Sequence, residues 1–441
     1  MTDPSPRQRS GTLVAVICCC AVVFDGYDLS VYATTLPAIL ETEPWGLDAA
    51  EAGVIASYAF MGMLVGTLIC GFATDVLGRR RMLMTCMSWF SVFMVACAIA
   101  PNPDLFGLFR FLAGIGLGGL LPTALALTVE FAPRHRRNLF NALVSSGFSV
   151  GTIGASALGT IIIEPFGFRP MYAIGALPLV VLVPIAYATL PESVDFLAAK
   201  GRHDEAAATA RRYDLACPSE PVREGAHHAA MRDLLHKPLV TMAIVFALVT
   251  LIGQLFIYGL STWLPQLMRS AGYPLGSALS FLATMSVGAI LGATLMSWFA
   301  DRIGPRVVAM WGFGIGVLAL VTMSLSPPTF VLYIAVALAG VGANGTSVIL
   351  NGYIATWFPA AVRATALGSI MTVARLGGIV GPILGGLIVA ADVPVQWSFY
   401  VFVVPAAIGV ALVLLLPRRH LDGRPLGATR EPHLEPVHHG G

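Results

Sequence analysis

The sequence predicts an all-α membrane protein with twelve transmembrane helices, arranged as two six-helix bundles related by pseudo-symmetry. The composition is the first reason: 56% of the 441 residues are hydrophobic, 11% are charged, and the mean hydropathy is +0.79. A soluble protein carries about 25% charged residues, so lipid must be the solvent for most of this chain. The second reason is internal: a shift of 226 residues lays the second half of the chain over the first without a gap.

The twelve predicted spans are apolar runs of about 20 residues or more, each long enough to cross a hydrocarbon core of about 30 Å. They are 11–40, 50–73, 82–100, 104–131, 138–163, 168–190, 238–268, 277–300, 306–326, 328–357, 363–390 and 395–417. Gly and Pro inside the spans indicate kinks and close packing. The expected units are an N-terminal segment (1–10), two bundles (11–190 and 238–417), a linker (191–237) and a disordered tail (418–441).

The repeat is clearest in two charged loops and one glycine-rich segment. Under the shift of 226 residues, Asp75 and Arg80 fall on Asp301 and Arg306. The glycine-rich match places Gly114, Gly116, Pro133, Arg137, Gly151 and Gly159 on Gly340, Gly342, Pro359, Arg363, Gly377 and Gly385. Such an offset indicates two copies of one bundle, inverted or parallel. Transporters built in this way bind substrate near the midplane between the copies.

The basic residues predict that both termini lie in the cytoplasm. With that orientation, all but four of the 26 Lys and Arg residues fall on the cytoplasmic side; the four are Arg110, Arg169, Arg269 and Arg375. This distribution of Lys and Arg satisfies the positive-inside rule. The first outer loop is acidic, which agrees with it.

Other motifs indicate no cofactor, metal or nucleic-acid partner. The glycines of 114–119 match the spacing of a dinucleotide-binding fingerprint but lie inside a continuous apolar run, where small residues let helices touch. The seven cysteines lack metal-ligand spacing. His227-His228 is more consistent with a solvated loop than with a metal site, and the Ala-rich stretch 206–210 predicts a surface helix in the linker.

Five charged residues lie within the predicted spans and either away from the edges or near one end: Asp25, Asp28, Arg110, Glu130 and Arg375. A charge at the centre of a bilayer costs about 2.5–3.5 kcal/mol on insertion scales. We therefore expect these residues to have functions.

Asp25, Asp28, Arg110 and Glu130 are the candidates for proton coupling. Asp25 and Asp28 are three residues apart and share a face of the first span, and Arg110 can reach their level from the fourth. A carboxyl group that alternates between burial and pairing with Arg can load and release a proton. The alternative is a permanent Asp–Arg pair that ties the two helices together.

Arg375 is the candidate ligand for an anionic substrate. It lies near the midplane of the second half, where the spans offer no acidic partner away from their edges, and a guanidinium binds a carboxylate with two hydrogen bonds. The alternative is a pair with Asp25 or Asp28 across the bundles in one conformation. Further candidates for substrate binding are the polar residues Tyr32, Gln254, Tyr258, Asn344 and Asn351; the last two can equally be satisfied interhelical amides.

The charged loops predict latches that close the cytoplasmic side. An Asp at the end of the second span can meet a loop Arg and the positive N-terminal end of the fifth or eleventh helix. The candidate gating residues are Asp75, Arg79, Arg80, Asp301, Arg306, Arg137 and Arg363.

These residues carry a family resemblance. The loop from Asp75 to Arg81 resembles the signature loop of the major facilitator superfamily, and 301–306 resembles its second copy. Val76 and Pro305 each replace an Arg of that motif, which weakens the expected gates. Three elements resemble the aromatic acid:proton symporter family: Asp25-Gly26-Tyr27-Asp28, 110–119 with Pro122, and 359–363 followed by Arg375-Leu376-Gly377-Gly378 and Gly381-Pro382.

The resemblance implies uptake of an aromatic carboxylate such as benzoate, hydroxybenzoate or gentisate, driven by the proton gradient across a bacterial inner membrane, by a monomer. A sugar or polyol symporter is the main alternative, because Gly26-Tyr27-Asp28, Arg110 and Pro191-Glu192-Ser193 also resemble that branch. Arg375 argues against it, since a neutral sugar needs no buried cation. A drug-efflux antiporter and a non-transporting sensor are further alternatives.

Overall fold

The computed structural model describes residues 6–42, 45–133, 136–213, 215, 232–237, 239–359 and 361–417. His227-His228, most of the linker after Tyr213 and the predicted tail lie outside the described residues. Twelve of the described helices are long and apolar enough to cross a membrane, and the predicted all-α architecture is thereby confirmed.

The first half contains six spanning helices: α1 (Pro6–Leu40), α2 (Ala49–Leu77), α3 (Arg79–Ile99), α4 (Pro103–Phe131), α5 (Arg137–Phe166) and α6 (Arg169–Thr189). The second half contains α7 (Leu239–Ser270), α8 (Leu275–Ile303), α9 (Pro305–Ser324), α10 (Thr329–Trp357), α11 (Arg363–Ala390) and α12 (Val395–Val413). An even number of spans in each half returns the chain to the side where it started. The two halves are therefore parallel copies.

Local sequence explains where helix boundaries differ from the prediction. α3 begins at Arg79, three residues before the predicted span, because Gly78 ends α2 with a φ of 90° and lets the next helix start at once. Gly304 plays the same part between α8 and α9, with a φ of 91°. α1 continues into the predicted N-terminal segment as far as Pro6.

α6 is the irregular helix of the first half. A 3₁₀ turn at Ile174–Ala176 and a π-helical turn at Pro178–Leu182 interrupt it. Pro178 and Pro184 lack the N–H group that a regular α-helix uses, and the helix adjusts around them.

The repeat extends to backbone contacts between helices. A Cβ atom added to Gly62 of α2 would lie 2.0 Å from the carbonyl oxygen of Phe111, and one added to Gly288 of α8 would lie 2.1 Å from that of Ala337. Both members of the second pair are 226 residues beyond those of the first. Only glycine allows this approach, so α2–α4 and α8–α10 pack in the same way.

The two halves meet on the side opposite the chain termini. We call the side that holds the start of α1 and the end of α12 the terminal side, and we call the other side the opposite side. Near the opposite side, Gly53 of α2 lies against the backbone of Pro382 and Gly386 in α11. A salt bridge between Glu41 and Arg269 also joins the halves there.

The described part of the linker packs on the first half. Two short helices, Val194–Ala199 and His203–Tyr213, bury Val194, Leu197, Ala206 and Ala210 against each other. The ring of Tyr213 packs edge-on against Phe131 at the end of α4, with ring centroids 5.0 Å apart. The second helix covers the Ala-rich stretch predicted to be helical.

Candidate functional site

A buried ion pair lies inside the first half. Arg110 of α4 donates a hydrogen bond from Nη1 to Oδ1 of Asp28 in α1 at 2.8 Å, and their side chains are 1% and 0% exposed. The guanidinium lies over the rings of Tyr32 and Tyr172, 5.8 and 6.0 Å from their centroids. The prediction that Arg110 reaches the level of the two aspartates agrees with this position.

Glycines hold α1 in place beside this pair. A Cβ atom on Gly26 would lie 2.0 Å from the carbonyl oxygen of Phe148 in α5, and one on Gly151 of α5 would lie 1.9 Å from that of Val23. α1 and α5 are therefore in backbone contact at the level of the aspartates.

The hydrogen bonding of this cluster is incomplete. Asp25 Oδ1, Asp28 Oδ2 and Arg110 Nε are buried and have no hydrogen-bond partner among the described residues. Asp25 is 1% exposed, and in the described part of the chain it makes no salt bridge. A buried polar atom without a partner is unfavourable by about 1–3 kcal/mol. A proton can therefore bind to this cluster.

Arg375 of α11 is the cation on the other side of the interface. It is half-buried, and no salt bridge to it is present in the ranges that the structure describes. It interacts electrostatically with Asp25 and Tyr258. One turn along α11, Gly378 faces the rings of Phe60 and Tyr258. Arg375 therefore lies where the two halves meet, with a free guanidinium.

A cavity lies between the halves next to these residues. α1, α2 and α5 line it from the first half, and α7, α8 and α10 from the second. Its polar lining residues are Ser30, Ser149, Thr152, Ser261, Thr262, Ser286 and Asn344. Its aromatic lining residues are Phe60, Phe148 and Tyr258.

The structure separates the predicted substrate-binding residues. Tyr258 and Asn344 line the cavity. Tyr32 does not, because it is 2% exposed and donates its hydroxyl to the carbonyl oxygen of Ala52 at 2.6 Å inside the first half. Gln254 and Asn351 are half-buried outside the lining, and Asn351 Oδ1 is buried without a partner among the described residues.

None of the six serine and threonine residues of the lining was predicted from the sequence: Ser30, Ser149, Thr152, Ser261, Thr262 and Ser286. One signal was available for Ser149, because it is the repeat partner of Arg375. The two residues thus occupy equivalent positions on opposite sides of the interface.

Glu130 lies far from the aspartates. It is 20 residues from Arg110 on the same helix, which corresponds to about 30 Å. On the terminal side it accepts hydrogen bonds from Arg79 Nη1 at 2.6 Å and from the backbone N–H of Val194, also at 2.6 Å. The Ser193 hydroxyl donates to Oε1 of Glu130 at 3.0 Å. These contacts group Glu130 with the gating candidates rather than with Asp25 and Asp28.

Arg80 and Arg306 make equivalent contacts within their own halves. Arg80 Nη2 donates to the carbonyl oxygen of Tyr187 at 2.5 Å, and Arg306 Nη2 donates to that of Leu414 at 2.5 Å. These carbonyls lie at the C-terminal ends of α6 and α12, which leave acceptors unpaired and favour positive charge. In this conformation the two arginines hold α3 to α6 and α9 to α12.

The remaining gating candidates are exposed on the terminal side. Asp75, Asp301 and Arg137 make no salt bridge in the part of the chain described here. Arg363, also exposed, donates from Nε to the carbonyl oxygen of Phe358 at 3.3 Å, within its own loop. The halves are thus closed on the opposite side, while these candidates do not join them on the terminal side.

The sequence matches a known protein family over most of its length. The model of the Major Facilitator Superfamily matches residues 18–296 and 278–438. The chain is 37% identical over 400 residues to the gentisate transporter of Corynebacterium glutamicum, a match that covers 90% of this chain and 85% of that one. It is 31% identical over 434 residues to the benzoate transport protein of Acinetobacter baylyi, covering 96% of this chain and 92% of the relative.

Two solved structures share the fold. A bacterial homologue of the human lysosomal transporter Spinster, in an inward-facing conformation, superposes with a TM-score of 0.75 and 18% identity, covering 96% of this chain and 99% of that one. The xylose transporter XylE of E. coli, partially occluded and inward open, superposes with a TM-score of 0.73 and 16% identity, covering 92% and 99%.

Proposed function

The chain belongs to the major facilitator superfamily, in the branch that holds the aromatic acid transporters, and we propose that it takes up an aromatic carboxylate together with protons. It is a membrane transporter and not an enzyme. The gentisate and benzoate specificities of its relatives support benzoate, a hydroxybenzoate or gentisate as the substrate.

The observation that carries the proposal is the guanidinium of Arg375, which makes no salt bridge among the described residues. It lies at the interface of the halves, close to the aromatic rings of Phe60 and Tyr258. A half-buried cation without a salt bridge is unfavourable, and the carboxylate of a substrate can supply the partner through two parallel hydrogen bonds. The adjacent rings offer contact surface for an aromatic group.

Asp25 connects substrate binding to protons. When Asp25 is ionised, its negative charge competes with a substrate carboxylate for electrostatic interaction with Arg375. When it is protonated, that competition ends and Arg375 is free to bind the anion. Protonation of Asp25 and binding of substrate therefore favour each other.

Net charge explains why the two must travel together. Asp25, Asp28, Arg110 and Arg375 sum to zero when all are ionised and no substrate is bound. The sum is again zero when Asp25 is protonated and a carboxylate is bound. Loading only one of the two leaves a net charge in a low-dielectric site, which disfavours the conformational change. Transport of one proton with each carboxylate follows.

We place the protein in the bacterial inner membrane as a monomer, with the terminal side in the cytoplasm. The distribution of Lys and Arg supports this orientation. The closed contacts on the opposite side, including the salt bridge between Glu41 and Arg269, then correspond to an inward-facing carrier. Asp75 and Asp301, with the loop arginines, would engage when the cytoplasmic side closes.

A sugar symporter is the second candidate function. The xylose transporter has the same fold, but at 16% identity it supports the fold alone. The free cation at Arg375 favours an anion over a neutral sugar, and it equally disfavours the efflux of cationic drugs.

Uptake into proteoliposomes tests the proposal. Radiolabelled benzoate, 4-hydroxybenzoate, gentisate and xylose are offered with an inward proton gradient, with a membrane potential alone, and with neither. We expect accumulation of at least one aromatic acid under the proton gradient, little under the potential alone because the cycle carries no net charge, and no accumulation of xylose.

Different results would contradict the proposed substrate class and the proposed proton coupling. Accumulation of xylose without any aromatic acid would replace the proposed substrate class. Accumulation of an aromatic acid that ignores the proton gradient would retain the substrate and remove the proton coupling.

A further inference from the structure

Besides Tyr258, four side chains in the cavity have hydrogen-bonding groups that are unused among the described residues. Ser149, Ser261, Thr262 and Asn344 line it, and in the described part of the chain none of their side chains makes a hydrogen bond. None of their polar atoms is sealed from solvent without a partner. They therefore present free donors and acceptors to the cavity.

The other serine and threonine hydroxyl groups of the lining are already used. Ser30 and Thr152 are hydrogen-bonded to each other, with 2.7 Å between Oγ and Oγ1. Ser286 donates to the carbonyl oxygen of Leu282 in its own helix at 3.1 Å. The free groups thus form a distinct set on α5, α7 and α10.

Ser261 and Thr262 lie beyond an aromatic layer as seen from Arg375. The rings of Phe60 and Tyr258 are 4.5 Å apart, and Gly378 packs against both, one turn along α11 from Arg375. Ser261 and Thr262 follow Tyr258 by about one turn on α7. Each step is about 4.5–6 Å along a helix. The order from the terminal side is a cation, an aromatic layer and the free hydroxyl groups of Ser261 and Thr262.

We propose that the substrate carries a ring hydroxyl meta or para to its carboxylate, and that Ser261 and Thr262 recognise that hydroxyl. The inference rests on the proposed function, because Arg375 must hold the carboxylate at the other end. It assigns the protein to hydroxylated aromatic acids and places unsubstituted benzoate among the poor substrates.

The physical reason is whether the polar side chains of the cavity are hydrogen-bonded once the substrate is bound. A ring with a hydroxyl group satisfies the polar side chains that it separates from water. An unsubstituted ring leaves them buried and unpaired, and sites built to bind a hydroxyl reject the analogue that lacks it more strongly than a size difference can achieve.

The position of the hydroxyl on the ring follows from the same order of groups. A hydroxyl ortho to the carboxylate lies at the Arg375 end and can hydrogen-bond to the carboxylate of its own molecule. Only a meta or para hydroxyl extends toward Ser261 and Thr262. Salicylate, the ortho isomer, should therefore behave like benzoate.

Competition in proteoliposomes tests the inference on the wild-type protein. Benzoate, its 2-, 3- and 4-hydroxy derivatives, gentisate and 4-methoxybenzoate are compared as inhibitors of uptake of the best labelled substrate. We expect a meta- or para-hydroxylated acid to bind at least about tenfold more tightly than benzoate and salicylate. The methoxy compound, which cannot donate a hydrogen bond, should be weaker than its hydroxy counterpart.

Substitutions in the cavity test which residues recognise the ring hydroxyl. Ser261→Ala and Thr262→Val remove hydroxyl groups with little change in volume. We expect each to reduce the preference for the hydroxylated acid about three- to tenfold. A midpoint of thermal unfolding in detergent equal to that of the wild type shows that the variant is folded. Ser286→Ala is the matched control in the same cavity, because its hydroxyl already serves its own helix, and it should preserve the preference.

The outcomes separate this inference from the proposed function. Equal affinity for benzoate and the hydroxylated acids, or an unchanged preference in both Ser261→Ala and Thr262→Val, overturns the inference and leaves aromatic acid transport intact. Failure of every aromatic acid to bind or accumulate overturns the proposed function itself.

Discussion

The two halves share a backbone design but hold their buried charges differently. The glycine contacts of Gly62 and Gly288 recur with the same geometry. In the first half, however, Arg110 is fully buried and paired with Asp28. In the second half Arg375 is half-buried, and within the described ranges it has no salt bridge.

The difference shows how a repeated scaffold can acquire two functions. Under the repeat, Asp28 and Arg110 correspond to Gln254 and Val336, so the second half has no equivalent of the ion pair. Arg375 corresponds to Ser149, which faces the same cavity from the first half. The packing residues are common to both copies, whereas the residues that handle charge belong to one copy each.

Breaking the ion pair should have the largest effect. Asp28→Asn leaves Arg110 buried with no carboxylate, and removing one partner of a buried pair destabilises a protein by about 3–5 kcal/mol. We expect a marked fall in the midpoint of thermal unfolding in detergent and loss of proton-driven accumulation.

Two further variants control for this effect. Asp301→Asn makes the same substitution at an exposed site in the second half and should leave the unfolding midpoint unchanged. Asp28→Asn/Arg110→Gln removes both charges and should recover part of the lost stability. A normal unfolding midpoint for Asp28→Asn would show that the pair contributes little to the fold.

Removing the free cation should affect ligand binding rather than stability. Arg375→Ala removes the proposed partner of the substrate carboxylate, and we expect at least about a hundredfold loss of affinity, or 2.7 kcal/mol. Arg375→Lys keeps the charge but not the planar fork and should bind weakly. Binding is measured by competition, with Arg302→Ala, at the exposed end of α8, as the control.

Ligand chemistry gives a sharper form of this test. The wild-type protein should prefer an aromatic acid over its amide by at least about tenfold, or 1.4 kcal/mol, and Arg375→Ala should lose that preference. Equal binding of acid and amide by the wild-type protein would reject the anion site and favour the sugar-symporter alternative.

Asp25 tests the link between the halves. Asp25→Asn cannot exchange a proton, and its empty site keeps a net positive charge that disfavours return of the empty carrier, so the variant should exchange substrate across the membrane but not concentrate it. A gradient of one pH unit can drive about tenfold accumulation when one proton moves with each substrate; in the variant the ratio should fall to about one, while counterflow exchange continues. Accumulation by Asp25→Asn/Asp28→Asn would remove both aspartates from the coupling mechanism.

The sequence predicted those parts of the molecule that depend on long-range periodicity and on rare residues. The spans are visible because lipid excludes charge over about 20 residues at a time. Asp25, Asp28 and Arg375 stand out because charges in such spans are unfavourable and uncommon. The agreement of the Gly62 and Gly288 contacts with the 226-residue repeat shows that the register of packing was also encoded.

The cavity lining was not predictable for a physical reason. Serine and threonine are tolerated anywhere in a membrane helix because the hydroxyl can bond to a carbonyl one turn back, as Ser286 does to Leu282. Free hydroxyls such as that of Ser261 look the same in sequence, and helix rotation alone distinguishes them. Tyr32 was assigned to the substrate for the related reason that its face of α1 was known but not its neighbour, Ala52.

The smallest expected effect concerns the terminal side, where the halves do not engage each other through the predicted latches. Asp75 is exposed and makes no salt bridge in the described part of the chain, so Asp75→Asn should leave this conformation unchanged and destabilise the one in which the terminal side closes. A contact near water is worth about 1 kcal/mol, which corresponds to about a fivefold change in transport rate with little change in substrate affinity. Asp301→Asn, its repeat equivalent, should act in the same direction, and Glu164→Gln, an exposed carboxylate on the opposite side, should have no effect. Initial rates and competition binding measured on the same proteoliposomes separate the two quantities, and a loss confined to affinity would contradict a latch at Asp75.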